Sequence, residues 1–339
     1  MALWTDVIDP ASLTGYARES LSAIEARKGT LARWLPNQDV FDTVARFVVG
    51  QAGLVDEAKF RAYDAEPEIG RGRGGKRVTL ELPALGQNIP VSEYMQLRTR
   101  NASDDAILAS IQRTTDQVVQ AVSDRIERLR GTVLTTGKAT IDQDNFKTDD
   151  DFGRKAEHTV TASKLWAASD ADPLQDLAAW VDTYVASTGV EPGSMVLSRR
   201  VLRALAAHDS FRVQLAGGGS RPANASDVVS ILEGAGMPQV VQYDRRTSAG
   251  RVLPDNNVLL LPAPVDVNDA AGTELGATFW GQTLTSTDAN YGIGDAEQPG
   301  IVAGVYRNEK PPMIAEVISD AIALPVLANA DLSLSATVL

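Results

Sequence analysis

Apolar residues recur at helical spacing at Ile107, Ile111, Val118, Val122, Ile126, Leu129 and Val133, and together they make one face of a single long helix. Ser103 or Asp104 offers an N-cap oxygen, and Asp104 and Asp105 put negative charge at the positive end of the helix dipole. Gly137 is a natural stop, because glycine takes the left-handed conformation that many helix ends need. The spacing predicts a helix over residues 103–136, and about 30 residues of it at the usual rise make a rod of roughly 45 Å. Such a rod is expected to be a spine for other layers; the plainer alternative is an amphipathic helix in a bundle.

The pattern on either side of the spine is different. Asp9 caps and Pro10 opens a short helix, to about Ala26, with Leu13, Ala17, Leu21 and Ile24 on one side. Arg18, Arg27, Lys28 and Arg33 make residues 1–40 a basic arm. Its few apolar residues are too few for a core, so it is expected to reach across a neighbouring subunit; a solvated basic helix is the alternative. Lys59–Glu66 and Arg77–Leu82 both alternate apolar and polar residues, and PEIGRGRGGK lies between them. This predicts a long hairpin with a basic tip around Gly70, Arg71, Arg73, Lys76 and Arg77. An isolated ribbon is marginal in water, so it must dock, on another subunit or on the spine of its own chain.

After the spine come a short strand entry at 137–141, a polar loop, and an alternating strand through Val160. Leu177, Trp180, Val181, Tyr184 and Val185 then mark an amphipathic helix. Met195–Leu197, Val240–Tyr243 and Val258–Leu261 read as buried strands, with helices at Arg199–Ala207 and Asp227–Gly234. Helices alternating with apolar strands indicate an α/β unit. Leu332, Leu334, Ala336 and Val338 alternate to the end, which predicts a paired C-terminal strand.

Composition narrows the function. The 339 residues allow two domains or one elaborated domain, and 44% are apolar. No run is long and apolar enough for a membrane span, and the N-terminus lacks a basic region followed by an apolar one, so neither membrane insertion nor secretion is expected. Cysteine is absent and His158 and His208 are the two histidines, which excludes thiolate chemistry and argues against a histidine metal site. Lys+Arg 32 against Asp+Glu 44 gives a net charge of −12, which argues against general binding to nucleic-acid phosphates but suits a surface lying close to DNA without adhering.

No motif supports catalysis. Gly70, Gly72 and Gly75 fit the letters of a dinucleotide fingerprint, but a strand follows rather than a helix. Gly217–Gly219 lacks the following Lys-Ser/Thr of a phosphate loop. Asp142-Gln143-Asp144 begins like a calcium loop, yet Phe146, Lys147 and Gly153 occupy ligand or glycine positions. His208-Asp209-Ser210 are adjacent residues, which cannot generally present a triad, and His208 is expected to close a helix with its charge. No catalytic, cofactor or metal residue is assigned, and the chain is expected not to be an enzyme.

The order of parts is more specific than any of these. It is carried by Asp9-Pro10, Leu13-Thr14 and Tyr16-Ala17-Arg18, then Ile126-Glu127 and Leu134–Ile141, Asp151-Phe152-Gly153-Arg154, Trp166 and Asp172–Leu177, Met195–Ser198, Pro299–Ala303 and Leu324–Leu327. The whole resembles the major capsid proteins of tailed bacteriophages, the lambda E-type family of the Hong Kong 97-type capsid fold, an α+β fold. The resemblance implies an N-arm (1–40), a peripheral domain (41–54 and 93–165) and an extended loop (55–92). An axial α/β domain (166–298) and a β return (299–339) complete it. It implies self-assembly as pentamers and hexamers into an icosahedral shell that expands around packaged double-stranded DNA, without sequence-specific contact. It also implies a scaffold, a portal and, in this branch, a decoration protein as partners, a place in the virion, and assembly in the host cytoplasm. Some relatives crosslink this loop; Lys76 gives no basis for that here. Arg18, Arg27, Gly70, Arg71, Arg73, Lys76, Arg77, Ile111 and Val122 are the candidate assembly residues. An encapsulin-type compartment shares the fold and stands as the alternative, ahead of an unrelated soluble α+β binding protein.

Overall fold

Asp104–Thr136 forms one helix of 33 residues. Ser103 Oγ accepts from the Ala106 N–H at 3.3 Å, and Gly137 ends the helix at φ 74°. Arg154 then donates to the carbonyls of Leu134 (2.8 Å) and Thr135 (2.5 Å), groups that a helix end leaves without helical partners. Burial pushes the Arg154 pKa down to about 10. Gly131 lets a loop approach the helix: a Cβ there would lie 2.6 Å from the Val252 carbonyl oxygen.

The computed structural model describes residues 7–27, 29–49, 76–99, 103–143, 146–214, 220–267, 273–308 and 310–339. Helix α1 (Pro10–Glu25) leads to strands β1 (Asn37–Asp39), β2 (Val44–Val49), β3 (Lys76–Glu81) and β4 (Ala84–Val91). A short helix, α2 (Glu93–Thr99), precedes the spine, α3 (Asp104–Thr136). Next come β5 (Lys138–Gln143), β6 (Phe146–Asp151), β7 (Thr159–Thr161), α4 (Pro173–Thr188), β8 (Ser194–Leu197) and α5 (Arg199–Ala207). Two small ribbons, β9 (Val213–Gln214) with β10 (Ser220–Arg221) and β12 (Arg246–Thr247) with β13 (Gly250–Arg251), flank β11 (Gln239–Gln242) and α6 (Ala225–Gly234). The chain closes with β14 (Asn257–Leu261), β15 (Gly276–Trp280), β16 (Val302–Arg307), β17 (Ala315–Leu327) and β18 (Leu334–Thr337).

Two sheets organise these elements. The first runs β11-β8-β14-β18-β7. Strand β8 and residues Val258–Leu261 of β14 are buried throughout, which is why they read as unbroken apolar runs. The last strand, β18, pairs antiparallel with β14 and parallel with β7, as the terminal alternation predicts. The second sheet runs β1-β15-β17-β16, with β4 also on β17. The 13-residue β17 changes role along its length. From Ala315 to Ile322 burial alternates, one face lying on the spine; from Ala323 the strand is buried throughout and pairs with β15.

The spine threads two cores. Its Ile107–Ile126 positions pack with α1, β16 and β17. Its Leu129, Val133 and Leu134 join the core of the first sheet with Trp34, Trp166 and Tyr184. In that second core His158 is fully buried, its Nε2 2.6 Å from Ser187 Oγ. Burial pushes the His158 pKa below the ordinary histidine value, against the opposing pull of Asp331 and the Ser333 backbone.

The structure differs from the expectations, or adds to them, at three places. First, α1 does not reach outward. Leu13, Ala17, Leu21 and Ile24 are buried on the same chain's spine and β16. Thr14 Oγ1 donates to the Ala303 carbonyl (3.1 Å) and accepts from its N–H (3.2 Å), so the helix caps the free edge of β16. Four apolar residues are too few for a core alone, but they suffice to complete one that the spine begins. Second, β3, which carries Arg77–Glu81 of that alternating run, has Val44–Val49 as a partner, from Val44↔Glu81 to Val49↔Lys76. Lys59–Glu66 lies outside the described residues. Third, the polar loop after the spine includes β6, paired with β5 from Lys138↔Asp151 to Gln143↔Phe146. Its strand residues are mostly exposed, so no apolar pattern announced them.

Ile111→Asp should bury an unpaired carboxylate in the first core and cost more than about 4 kcal/mol, read as loss of soluble folded protein. Soluble Ile111→Asp protein with a normal unfolding curve would contradict that placement. Because the fold favours neutral His158, the unfolded chain takes up the proton first as pH falls below 6.5. The contribution is therefore complete above that pH and eroded below it. The melting temperature should drop between about pH 7 and about pH 5, and His158→Gln should flatten that drop; an unchanged slope would assign the loss to other groups.

Candidate functional site

The candidate site is the outward surface of the subunit together with the polar interior that holds that surface in shape. The interior centres on Arg130, on the apolar stripe of the spine. Its Nη1 lies 2.7 Å from Glu25 Oε1 on α1 and 3.4 Å from Glu127 Oε2, one turn earlier. Nη2 donates to Asn37 Oδ1 of β1 (2.7 Å) and Nε to Thr278 Oγ1 of β15 (2.8 Å). Glu127 accepts from the Leu31 N–H (2.8 Å), Thr30 Oγ1 (3.3 Å) and the Tyr243 hydroxyl (2.6 Å). Burial, and then the charge of Glu127, raise the Tyr243 pKa well above the ordinary phenol value. Arg245 extends the network to Asp124 at 2.9 Å. Glu25, Glu127 and Arg130 are 2%, 0% and 1% exposed, so these charges are satisfied by one another and by neutral donors rather than by water. Trp34 reaches from the loop after α1 into the first sheet, its Nε1 donating to Ser194 Oγ at 2.9 Å.

Several features face outward. The β2–β3 ribbon is rooted by Phe47, whose ring stacks on Phe279 of β15 at 5.8 Å, and by buried Ala45 and Leu82. Beyond the Val49↔Lys76 pair the chain passes to residues 50–75, outside the described residues. Phe41, Tyr94, Met95, Leu97 and Leu284 are exposed. A cleft of about 520 Å³ lies between α1 and β1, lined by Arg18, Leu21, Asn37, Asp39, Trp280 and Ile301 among others. Arg18 Nε donates to the Ile301 carbonyl at 3.1 Å. Burial lowers the Arg18 pKa, with Glu297 and Asp39 opposing it, and burial raises that of Asp39.

The sequence-predicted assembly residues scatter. Gly70, Arg71 and Arg73 lie outside the described residues. Lys76 opens β3, and Arg77 is exposed beside it. Arg27 is exposed after α1, whereas Arg18 lines the intrachain cleft. Ile111 and Val122, at 0% and 3% exposure, are core residues of the subunit and offer no surface to a neighbour. His208 closes α5 as its C-cap residue, and its Nδ1 accepts from the Ser210 N–H at 3.3 Å at the start of the next turn. Sequence reasoning missed the Arg130 network. Its signal is visible: Glu127 and Arg130 interrupt an apolar face that includes Ile126, Leu129 and Val133.

An arm closed on a spine, a ribbon leaving the sheet beside it, an α/β sheet at the spine's C-terminal end and a β return together define the Hong Kong 97-type capsid fold. The sequence profile of the phage major capsid protein E family matches residues 18–338, and the chain belongs to that family. It is a structural subunit of a phage head. A protein assigned as a prophage capsid protein of E. coli CFT073 superposes with TM-score 0.64 at 15% identity, covering 98% of this chain and 99% of that one. A phage-related protein from Bordetella bronchiseptica RB50 superposes with TM-score 0.55 at 14% identity, covering 97% and 96%. At such identities the likeness is one of fold. No curated protein matches the chain in sequence.

Arg130→Ala should leave Glu25 and Glu127 short of their buried cation and cost about 3–5 kcal/mol in chemical denaturation. Lys147→Ala, which removes a surface pair with Asp142, should leave the curve unchanged. Equal effects of the two would refute a special role for the buried network.

Proposed function

We propose that copies of this chain close into rings of five and six through residues 166–298, and that the rings join into an icosahedral shell in the host cytoplasm. A scaffold and a portal take part, a decoration protein stabilises the finished shell, and the shell expands as double-stranded DNA is packaged. The observation that carries this reading is a subunit with two completed cores that still exposes Phe41, Tyr94, Met95, Leu97 and Leu284. Tyr94, Met95 and Leu97 share one seven-residue helix, and such a cluster of exposed apolar side chains on a finished fold supports contact with other proteins. Many weak contacts of this kind, made at once, hold a shell that no single contact would hold. The net charge of −12 supports DNA held without tight adhesion or sequence-specific contact.

Electron microscopy of the overexpressed protein, with size-exclusion chromatography, tests the reading. Closed shells, tubes or rings of five or six are the expected outcome. Particles that copurify with an enzyme cargo would point instead to a compartment of the encapsulin kind. A monomer at every concentration would overturn assembly.

A further inference from the structure

Helix α2 buries none of its seven residues. Tyr94, Met95 and Leu97 are 67%, 50% and 48% exposed. Gln96 Nε2 donates to the carbonyls of Val91 (3.1 Å) and Met313 (2.9 Å), which ties the helix to the turn between β16 and β17. Pro311, Pro312 and Met313 are exposed on that turn. A helix this short is not stable in water by itself, and this one gains nothing from the core, so its order calls for a cover.

The place of α2 restricts what can cover it. Five positions after Thr99 the spine begins at Asp104, and its 33 residues span about 50 Å. The β11-β8-β14-β18-β7 sheet lies at the far end, where Arg154 bridges Leu134 and Ser333. If rings close through that sheet, as proposed above, α2 stands on the outer rim, within reach of a copy in an adjacent ring. Its charges fit such a copy. Glu93 and Arg98 flank the apolar centre, Arg98 over the Tyr94 ring at 5.9 Å, and among the described residues neither is in an ion pair. Under a twofold relation Glu93 of each copy meets Arg98 of the other, so the surface is complementary to itself.

We propose that α2, together with Met313, forms a homotypic contact between copies of this chain in neighbouring rings. This rests on the assembly reading above. The chain has no cysteine, so Leu97→Cys introduces a single thiol. In assembled particles, mild oxidation should convert much of that variant to disulfide-linked dimers, while Val190→Cys, similarly exposed after α4, stays monomeric. The double variant Tyr94→Glu, Leu97→Glu should keep its melting temperature within about 2 °C of the parent, because the side chains it changes are exposed. It should still form rings, and lose closed shells by at least about tenfold. Shells at normal yield from that variant, or a Leu97→Cys thiol left free in assembled particles, would overturn the homotypic contact alone, the free thiol leaving the surface to an outside protein. Parent protein that forms neither rings nor shells would overturn the assembly reading together with it.

Discussion

Three charges buried at one point hold this subunit together. Arg130 is the only cation within ion-pair distance of Glu25 among the described residues, and it also binds Asn37 and Thr278. Arg130 and these three partners come from α3, α1, β1 and β15, so one side chain ties together four elements. A buried pair of this kind adds little net stability over a well-packed apolar one, because desolvating the ions costs nearly what their attraction returns. Its effect is selective. Any arrangement that leaves one member unpaired is heavily penalised, so the network specifies where the arm, the spine and the two sheets must sit.

That constraint explains why the arm belongs to its own chain. Glu25 stands at the last turn of α1, and its carboxylate is satisfied when the helix brings it to Arg130 on the spine and Asn37 on β1. Thr14 and Arg18, nearer the start of the same helix, secure its position by bonding the backbone of Ala303 and Ile301. The subunit therefore presents a finished frame, and ordering costs on association fall on whatever side chains meet at the surface rather than on the arm.

Much of this was legible in the sequence, and the failures have physical causes. The spine announced its stripe, cap and stop because all three are local. The buried strands β8 and β14 announced themselves as apolar runs, and β18 by its alternation. Partners were harder to read. Alternation fixes which face of a strand is buried, not which strand lies beside it, so the run through Arg77–Leu82 gave no sign of its partner Val44–Val49. The arm's stripe likewise fits any apolar surface, its own or a neighbour's. Ile111 and Val122 were read correctly as packing residues, but the side they pack on is the subunit's own β17 and α1. The surface on α2 carries few residues and no period, so only the fold reveals that Tyr94, Met95 and Leu97 have nothing beneath them.

Strand β17 has a mechanical consequence. It pairs with β4 along its first eight residues, with β16 along the first six of these, and with β15 along its last five. A pull along its axis loads these ladders in shear, so their hydrogen bonds bear the force in parallel and must yield together. A pull across an end would open them one at a time. In a wall stretched from within, tension that runs along β17 meets the stiffest direction of the subunit, and the strand works as a tie-bar between the two cores.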